Sequence, residues 1–426
     1  MKITVFWFRR DLRLEDNIGL YNALKSEHAV LPIFIFDENI LNELEVDDGR
    51  VTFIHQQLQK LDNQLTSYGS SLLVKKGKPI EIWKQLISEY QITEVYTNKD
   101  YEPYALCRDY DIETLLKEKG VSFKKFKDQV IFEENEILKN DGAPYTIYTP
   151  YKNKWLEKFK TTNCCSVNSE ELNNYLKHNQ VFPSLEEIGF KKSTIEVKPF
   201  NLNHVNDYAE IRDYPALDHT SYLSPHLRFG TISVRQIIQN TIDKSAVFLS
   251  ELIWREFFMQ ILFHFPKVVN TSFKEKYDKI EWRNNENEFK LWCEGNTGYP
   301  MVDAGMRQLN QTGYMHNRVR MVVASFLCKH LLIDWRWGEA YFAKKLLDYD
   351  LSANNGNWQW AAGTGCDAAP YFRVFNPTEQ LKKFDSDLKY IKRWVPEFES
   401  LSYPLPMVEH KMARNRAIET YKKGIS

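Results

Sequence analysis

The chain has 426 residues, a length that allows two folded domains. Hydrophobic residues make up 43% and charged residues 27%, with a formal net charge of −1, and this composition excludes a disordered chain. Six cysteines in so long a chain predict no disulfide framework, so a reducing, cytoplasmic compartment is expected. The sequence has no signal-peptide cleavage site and no run of about 18 apolar residues, so we expect no membrane association. It also has no metal-ligand motif, so we expect no metal site.

Residues 1–130 alternate apolar runs with amphipathic stretches. The predicted strands are Ile3–Phe8, Val30–Phe36, Ser70–Lys75, Thr93–Asn98 and Val121–Lys127, and helical patterns lie near 17–27, 50–67, 79–90 and 104–119. Apolar strands separated by helix-length segments are typical of a doubly wound parallel sheet, so an α/β Rossmann-like domain with five strands is predicted. The turn after the first strand, 9–13, has no GxGxxG, so a dinucleotide bound there in the manner of NAD is not expected.

The rest of the chain has a different pattern. Residues 131–197 are irregular, include three tyrosines within Tyr145–Tyr151, and are interpreted as an interdomain connection. From residue 198 to 426 the apolar spacing is helical, which predicts an all-α domain with helices at Ala246–Phe265, Tyr299–Gln311, Met315–Leu331 and Glu339–Leu347. This part carries 30 Lys and Arg against 26 Asp and Glu, a mild excess that indicates either a basic groove or random scatter.

A run of hydroxyl side chains precedes a predicted helix at His226–Asn240. The residues are Thr220, Ser221, Tyr222, Leu223 and Ser224, followed by Pro225, and Ser-Pro is a common N-cap and first helical position. A helix N-terminus with spare hydroxyls can hold a phosphate. A plain helix cap explains the same pattern, and the residues alone leave both interpretations open.

The predicted helix Ala246–Phe265 carries unusual chemistry on one face. Helical geometry aligns Glu251, Trp254, Arg255 and Phe258. An indole and a guanidinium in line suit stacking on a base and holding a phosphate. An i, i+4 salt bridge from Glu251 to Arg255 beside a core tryptophan is the alternative.

Tryptophans are concentrated in the C-terminal half. Three of them, Trp282, Trp335 and Trp358, lie on separate predicted elements, and spacing alone does not separate an electron relay from core packing. Asp348–Gly365 combines carboxylates, amides, Trp358 and Trp360 without a charge after Asp350. Polar, uncharged groups beside aromatics favour a buried heteroaromatic cofactor, although a satisfied polar network in the core is also possible.

Long blocks of this sequence resemble the photolyase/cryptochrome family, most closely the class I cyclobutane pyrimidine dimer photolyases. The blocks are FWFRRDLRLEDN, RDYPALDHTSYLSPHLRFG, ELIWREFF, EGNTGYPMVDAGMRQL, TGYMHNRVRM, LLIDWRWGEAYF and ANNGNWQWAAGTGCDAAPYFRVFNP. The resemblance implies that the helical domain binds FAD and that the partner is ultraviolet-damaged DNA with a flipped-out lesion. It also implies light-driven electron transfer from reduced FAD to the dimer, and we expect a monomer.

The resemblance assigns residues to two binding sites and a relay. FAD would contact Tyr208, Thr220, Ser221, Tyr222, Leu223, Ser224, Arg320, Asp348, Tyr349, Asp350 and Asn354. DNA would contact Arg212, Glu251, Trp254, Arg255, Phe258, Asn317, Arg318, Trp360 and Arg373, with Met321 completing the wall around the lesion. Among these, Glu251, Asn317, Met321 and Asn354 are assigned to catalysis, and Trp358, Trp335 and Trp282 match the family's chain for photoreducing oxidised flavin.

Two further features concern the lesion and the antenna. Relatives that repair (6-4) photoproducts carry histidines at the positions of Asn317 and Met321, so this sequence predicts the cyclobutane dimer as substrate. The folate-binding Asn-Glu pair of some relatives is replaced by Tyr104–Ala105, and Glu102 with Arg108 is closer to the deazaflavin-using branch. A deazaflavin-like, folate or flavin antenna, or none, therefore remains open. A cryptochrome without repair activity is the alternative function, as is a (6-4) photolyase.

Overall fold

The computed structural model describes residues 1–162 and 164–425. The chain groups into two compact units, the first formed by Met1–Ile137, Trp155–Phe200 and Tyr222–Asp243, and the second by Leu138–Lys154, Asn201–Ser221 and Lys244–Ser426. Residues 131–197, interpreted from the sequence as a connection, therefore contribute to both units. No helix in the described part of the chain has the length and apolarity needed to cross a membrane.

The first unit contains the predicted parallel sheet, in the order β3-β2-β1-β4-β5. The strands are β1 Lys2–Phe8, β2 Val30–Asp37, β3 Leu73–Gly77, β4 Gln91–Asn98 and β5 Ser122–Phe126, and the helices of this unit are α1 Ile18–Leu24, α2 Glu38–Leu41, α3 Gly49–Thr66, α4 Pro79–Glu89, α5 Pro103–Glu118, α8 Leu223–Phe229 and α9 Val234–Thr241. The doubly wound fold class is confirmed. β3 starts later than the predicted Ser70, because Ser70 N–H still donates to Leu65 O at the end of α3.

Side chains fill the place where a dinucleotide would lie in a Rossmann fold. The strand order reverses between β1 and β4, where such ligands usually bind. There the Asn98 amide donates to Asp11 Oδ2 at 2.6 Å and to Asn17 Oδ1 at 2.8 Å. Asn98 Oδ1 accepts the Gly19 N–H at 2.9 Å. The carboxyl ends of these strands are therefore closed by protein hydrogen bonds.

The second unit is helical, as predicted. Its helices are α7 Tyr208–Ile211, α10 Ala246–His264, α11 Glu286–Glu294, α12 Pro300–Thr312, α13 Asn317–Ser325, α14 Trp335–Lys345, α15 Leu351–Ala362, α16 Pro377–Phe384, α17 Lys389–Trp394 and α18 His410–Ile425, while α6 Tyr148–Phe159 begins in this unit and ends in the first. Its largest core cluster packs α12, α13 and α15 around Trp292, Trp335 and Trp358. A π-helical turn, Phe326–His330, replaces the last turn of the helix predicted to run to Leu331.

The helix predicted at His226–Asn240 is two helices, and its predicted cap is wrong. α8 begins at Leu223, so Ser224 and Pro225 lie within its first turn. Tyr222 is the N-cap residue of α8 and has a left-handed backbone conformation, with φ of +50°. Gly230 ends α8 in the left-handed conformation, at φ of +65°, and a side chain is excluded there because a Cβ would lie 2.0 Å from Arg10 O. The second helix, α9, has its own N-cap in Ser233, which accepts the Arg235 N–H.

Candidate DNA- and cofactor-binding site

A stacked aromatic pair dominates one face of α10. The Trp254 indole and the Tyr148 ring are nearly parallel, at 8°, with centroids 3.5 Å apart. Trp254 is half-buried, and Phe258 lies one turn further on with its ring 5.4 Å away. Phe258, predicted as a DNA contact, is only 6% exposed and packs so tightly on Gly356 that a Cβ there would lie 2.1 Å from its ring. It supports the indole rather than presenting surface of its own.

Glu251, the acidic residue on this face of α10, pairs with Arg212 at the end of α7. Glu251 Oε1 accepts Arg212 Nη1 at 2.7 Å, and both side chains are partly exposed. Arg212 caps the C-terminus of α7 and lies over the Tyr208 ring at 5.2 Å. Burial raises the pKa of Tyr208 to about 12, so its hydroxyl stays protonated near neutral pH. Arg255 is half-buried on the same helix.

Asn317, Arg318 and Met321 lie on the first turn and a half of α13. Asn317 is exposed and Met321 half-buried, so the two predicted wall residues are both accessible, four positions apart. Arg318 donates to Asp213 Oδ1 at 2.7 Å and lies 4.5 Å over the Phe384 ring. Arg212 pairs with Glu251 of α10, and the next residue, Asp213, pairs with Arg318 of α13. Glu251 and Arg318 therefore lie near the same two-residue segment.

His316 does not share that face. Its Nδ1 accepts the Arg318 N–H at 3.2 Å as the N-cap of α13, and it is 9% exposed. Burial lowers its pKa to about 4, so the ring is neutral near pH 7 and keeps the lone pair that the cap uses.

The predicted cofactor residues before and within α15 form a polar network. Arg320 Nη2 donates to both oxygens of Asp348, at 2.9 and 3.2 Å. Asp350 is the N-cap of α15 and accepts the Ala353 N–H at 3.2 Å. The Asn354 amide donates to Glu339 Oε1 at 2.8 Å, which leaves its carbonyl oxygen as an acceptor. Burial raises the pKa of Glu339.

The segment Thr220–Ser224 contains backbone in a rarely used conformation. Asp218 and Tyr222 both have positive φ, at +52° and +50°, on either side of Thr220 and Ser221. Such residues cost about 1–3 kcal/mol each and concentrate at ligand sites. Thr220 and Ser221 are half-buried in the second unit; Leu223 is buried and Ser224 exposed in the first.

The three relay candidates run from interior to partly exposed positions. Trp358 is 2% exposed, Trp335 1%, and Trp282 is half-buried. Trp358 packs against Gly338, one turn from Trp335 on α14. Trp335 Nε1 is buried with no hydrogen-bond partner. The remaining candidates lie nearer the surface: Tyr349 and Trp360 are half-buried, and Arg373 is exposed.

Three residues that the sequence analysis did not assign belong to this site: Tyr148, Asp213 and Glu339. Tyr148 lies among the three tyrosines of Tyr145–Tyr151, and this aromatic density was the only available signal. Asp213 and Glu339 form pairs 105 and 15 residues apart in sequence, which no local pattern indicates.

The proposed antenna residues lie in the first unit and are engaged with one another. Glu102 accepts from Arg10 at 3.0 Å and from Arg228 at 2.6 Å. The Tyr104 hydroxyl donates to Asp37 at 2.5 Å, and burial together with this bond raises its pKa to about 12. Arg108 lies 5.0 Å over the Trp7 ring.

Comparison with known proteins finds matches along the whole chain. Residues 4–170 match the family model for DNA photolyase, and residues 248–402 match the model for the FAD binding domain of DNA photolyase. A deoxyribodipyrimidine photo-lyase of Vibrio cholerae is 37% identical, over 98% of each chain. The enzyme of the same name from Escherichia coli is 36% identical over 99% of each chain.

The fold of this chain is similar to solved structures of photolyases and of a cryptochrome. A class III photolyase from Agrobacterium tumefaciens has a TM-score of 0.88 at 34% identity, with 100% of this chain and 98% of that one covered. A Sulfolobus tokodaii photolyase with two FAD molecules has a TM-score of 0.84 at 36% identity, over 99% and 100%. A Synechocystis cryptochrome has a TM-score of 0.86 at 26% identity, over 99% of each chain.

Proposed function

The chain belongs to the DNA photolyase family, and from that premise we propose that it uses light to repair cyclobutane pyrimidine dimers in DNA. The observation that carries the proposal is the pairing of Arg212 with Glu251 and of Asp213 with Arg318. These pairs bring a half-exposed indole on α10 and the accessible Asn317 and Met321 on α13 to one surface. Stacking, hydrogen-bonding and apolar groups together suit a flipped-out base pair better than an intact duplex.

The residues present fit FAD. Asn354 is buried and its amide N–H₂ is fixed by Glu339, so its carbonyl oxygen is oriented as an acceptor for a ring N–H. The Arg320–Asp348 pair supplies a charged group that can hold the isoalloxazine edge. We assign the remaining contacts to Tyr208, Thr220, Ser221, Tyr222, Leu223, Ser224, Tyr349 and Asp350. FAD, when bound and reduced, supplies the light-excited electron that opens the cyclobutane ring.

The chain's own residues bind and orient the lesion. Trp254 would stack on the dimer, and Glu251, held by Arg212, would accept its base N–H groups. Met321 would pack on the saturated ring, and Asn317 would hydrogen-bond a base edge. For phosphates we assign Arg212, Arg255, Arg318 and Arg373, with Trp360 completing the wall.

Trp358, Trp335 and Trp282 are proposed to relay electrons from the surface to oxidised flavin. Burial of Trp358 and Trp335 keeps water from their rings, while half-buried Trp282 can exchange with solvent. Trp335 would be the middle member of this relay, because it lies on α14 one turn from Gly338, against which Trp358 packs. Trp282 would be where the charge ends.

Light-driven repair of two defined oligonucleotides tests the function. One bears a single cyclobutane dimer and the other a single (6-4) photoproduct, and both are incubated with reduced protein in light and in darkness. We expect light-dependent repair of the cyclobutane dimer alone, because neither Asn317 nor Met321 can act as a general acid. Repair of the (6-4) product alone would make the enzyme a (6-4) photolyase, and repair of neither would favour a cryptochrome.

We also propose a cytoplasmic monomer. The low cysteine content, six in 426 residues, fits a reducing compartment. Light scattering of the purified protein should give the mass of one chain, and a dimer mass would contradict this. The second chromophore stays open among deazaflavin, folate, flavin and none, and the absorption spectrum of the purified protein decides between them.

A further inference from the structure

Tyr148 is held in place at both ends. Its backbone N–H, the first of helix α6, donates to Asp367 Oδ2 at 2.9 Å. Its hydroxyl donates to Ser250 O at 2.7 Å and lies 2.6 Å from Ser250 Oγ. The side chain is 6% exposed, and burial raises the pKa of the hydroxyl, so it remains a donor at any physiological pH. A ring fixed in this way has little freedom to rotate.

This fixed ring covers one face of Trp254. The centroids are 3.5 Å apart at 8°, which is a face-to-face contact over most of the ring area. Phe257 adds edge contacts to both rings, 5.8 Å from Tyr148 and 5.6 Å from Trp254. Tyr148 therefore closes this face of the indole to a ligand, and Phe258, with its ring 5.4 Å away, packs against the same indole.

We propose that Tyr148 is a positioning residue for damaged DNA, which holds the Trp254 indole in its lesion-stacking orientation before DNA arrives. The inference rests on the proposed function, since it needs Trp254 to stack on the lesion. An indole that is already immobilised loses little side-chain entropy on binding, so more of the stacking free energy appears as affinity. Undamaged DNA, which does not place a base on Trp254, gains nothing from this preorganisation.

The two substitutions that separate this role from a general packing role are Tyr148→Phe and Tyr148→Leu. Phenylalanine keeps the flat face and loses the bonds to Ser250, whereas leucine has a similar bulk without a flat face. Binding is measured by fluorescence anisotropy at one salt concentration, using matched duplexes with and without a single cyclobutane dimer. We expect Tyr148→Leu to lower the damaged-to-undamaged affinity ratio about three- to tenfold. Tyr148→Phe, which keeps the stacked face but loses the anchoring bonds to Ser250, should give a ratio between those of Tyr148→Leu and wild type.

A double-mutant cycle with Trp254→Ala decides whether Tyr148 acts through the indole. If it does, Tyr148→Leu should cause no further loss of discrimination once Trp254 is alanine. Equal losses in both backgrounds would overturn the inference, as would an unchanged ratio in Tyr148→Leu itself. Bound-flavin absorbance and the thermal midpoint identify a variant that has failed to fold, and Tyr148→Met then takes the place of Tyr148→Leu.

The control for the underlying function is the wild-type protein in the same assay. A wild type that binds both duplexes equally contradicts the proposed function. A wild type that discriminates while Tyr148→Leu discriminates equally well contradicts only the positioning role of Tyr148.

Discussion

Gly338 on α14 sets the position of the Trp358 indole, and Gly338→Ala should displace it. A Cβ at Gly338 would lie 2.1 Å from Cη2 and 2.5 Å from Cζ3 of Trp358, and 2.6 Å from Cδ2 of Leu327. Carbon atoms in contact are normally about 3.5–4.0 Å apart, so the ring must move by roughly 1.5 Å. Such overpacking lowers the free energy of unfolding by about 1–3 kcal/mol. Replacing a helical glycine by alanine raises it by about 1 kcal/mol, which offsets part of this loss.

Two measurements check this substitution. The free energy of unfolding in urea should fall by about 0–2 kcal/mol. Blue-light photoreduction of bound flavin should slow, because the substitution moves Trp358, which we propose as a member of the relay. Chemically pre-reduced protein should still repair DNA. Gly305→Ala is the matched control: its Cβ would lie 2.5 Å from Val319 Cγ1, so it should lose stability while photoreducing normally. Photoreduction at the wild-type rate in Gly338→Ala would refute the placement of Trp358.

Three further predictions use the same preparations. Trp358→Phe should photoreduce slowly yet repair normally once pre-reduced; photoreduction at the wild-type rate would remove it from the relay. Trp254→Ala should weaken binding to damaged DNA by about 1–3 kcal/mol and binding to undamaged DNA far less. Equal losses on both DNAs would place Trp254 in the core. Arg255→Ala should lower the slope of log affinity against log salt concentration by about one. Because the pKa of His316 falls to about 4 on folding, the unfolded chain takes up a proton first as pH drops below about 6.5. Urea unfolding should therefore give about 2 kcal/mol less stability at pH 5 than at pH 8 from this group, a loss that His316→Asn should abolish.

Strands β1 and β2 could be predicted from sequence because they are apolar runs that are buried along almost their whole length. β1 and β2 match their predicted bounds within one residue at each end. The error at the helix predicted from His226 has a local cause that sequence periodicity does not carry. Ser-Pro is a common helix start, but Tyr222 adopts a left-handed conformation and starts α8 one residue before Ser224. Gly230 then ends that helix in a left-handed conformation, and the nearby Arg10 backbone leaves room only for glycine there.

The candidate site was predicted where its chemistry is contiguous in sequence. The stripe on α10 and the Asp348–Asn354 stretch are short segments with unusual residue types, and family resemblance gave their roles. Pairings between distant segments were not predicted. One interpretation of the sequence paired Glu251 with Arg255 on its own helix, but the Glu251 carboxylate accepts from Arg212, 39 residues away. Tyr148 came from a region interpreted as a connection, and only the fold stacks it on Trp254.

These pairings alter how the arginines of the site can hold DNA. Arg212 and Arg318 were assigned to phosphates, yet each already donates at 2.7 Å to a carboxylate, Glu251 and Asp213 respectively. A phosphate that reaches either guanidinium must share or replace that carboxylate, so the net gain is smaller than for an arginine taken from water. Among the residues that the structure describes, no carboxylate pairs with the exposed Arg373 side chain. General DNA affinity and its salt dependence should therefore depend more on residues such as Arg373, while the paired arginines mainly fix the orientation of the groups that recognise the lesion.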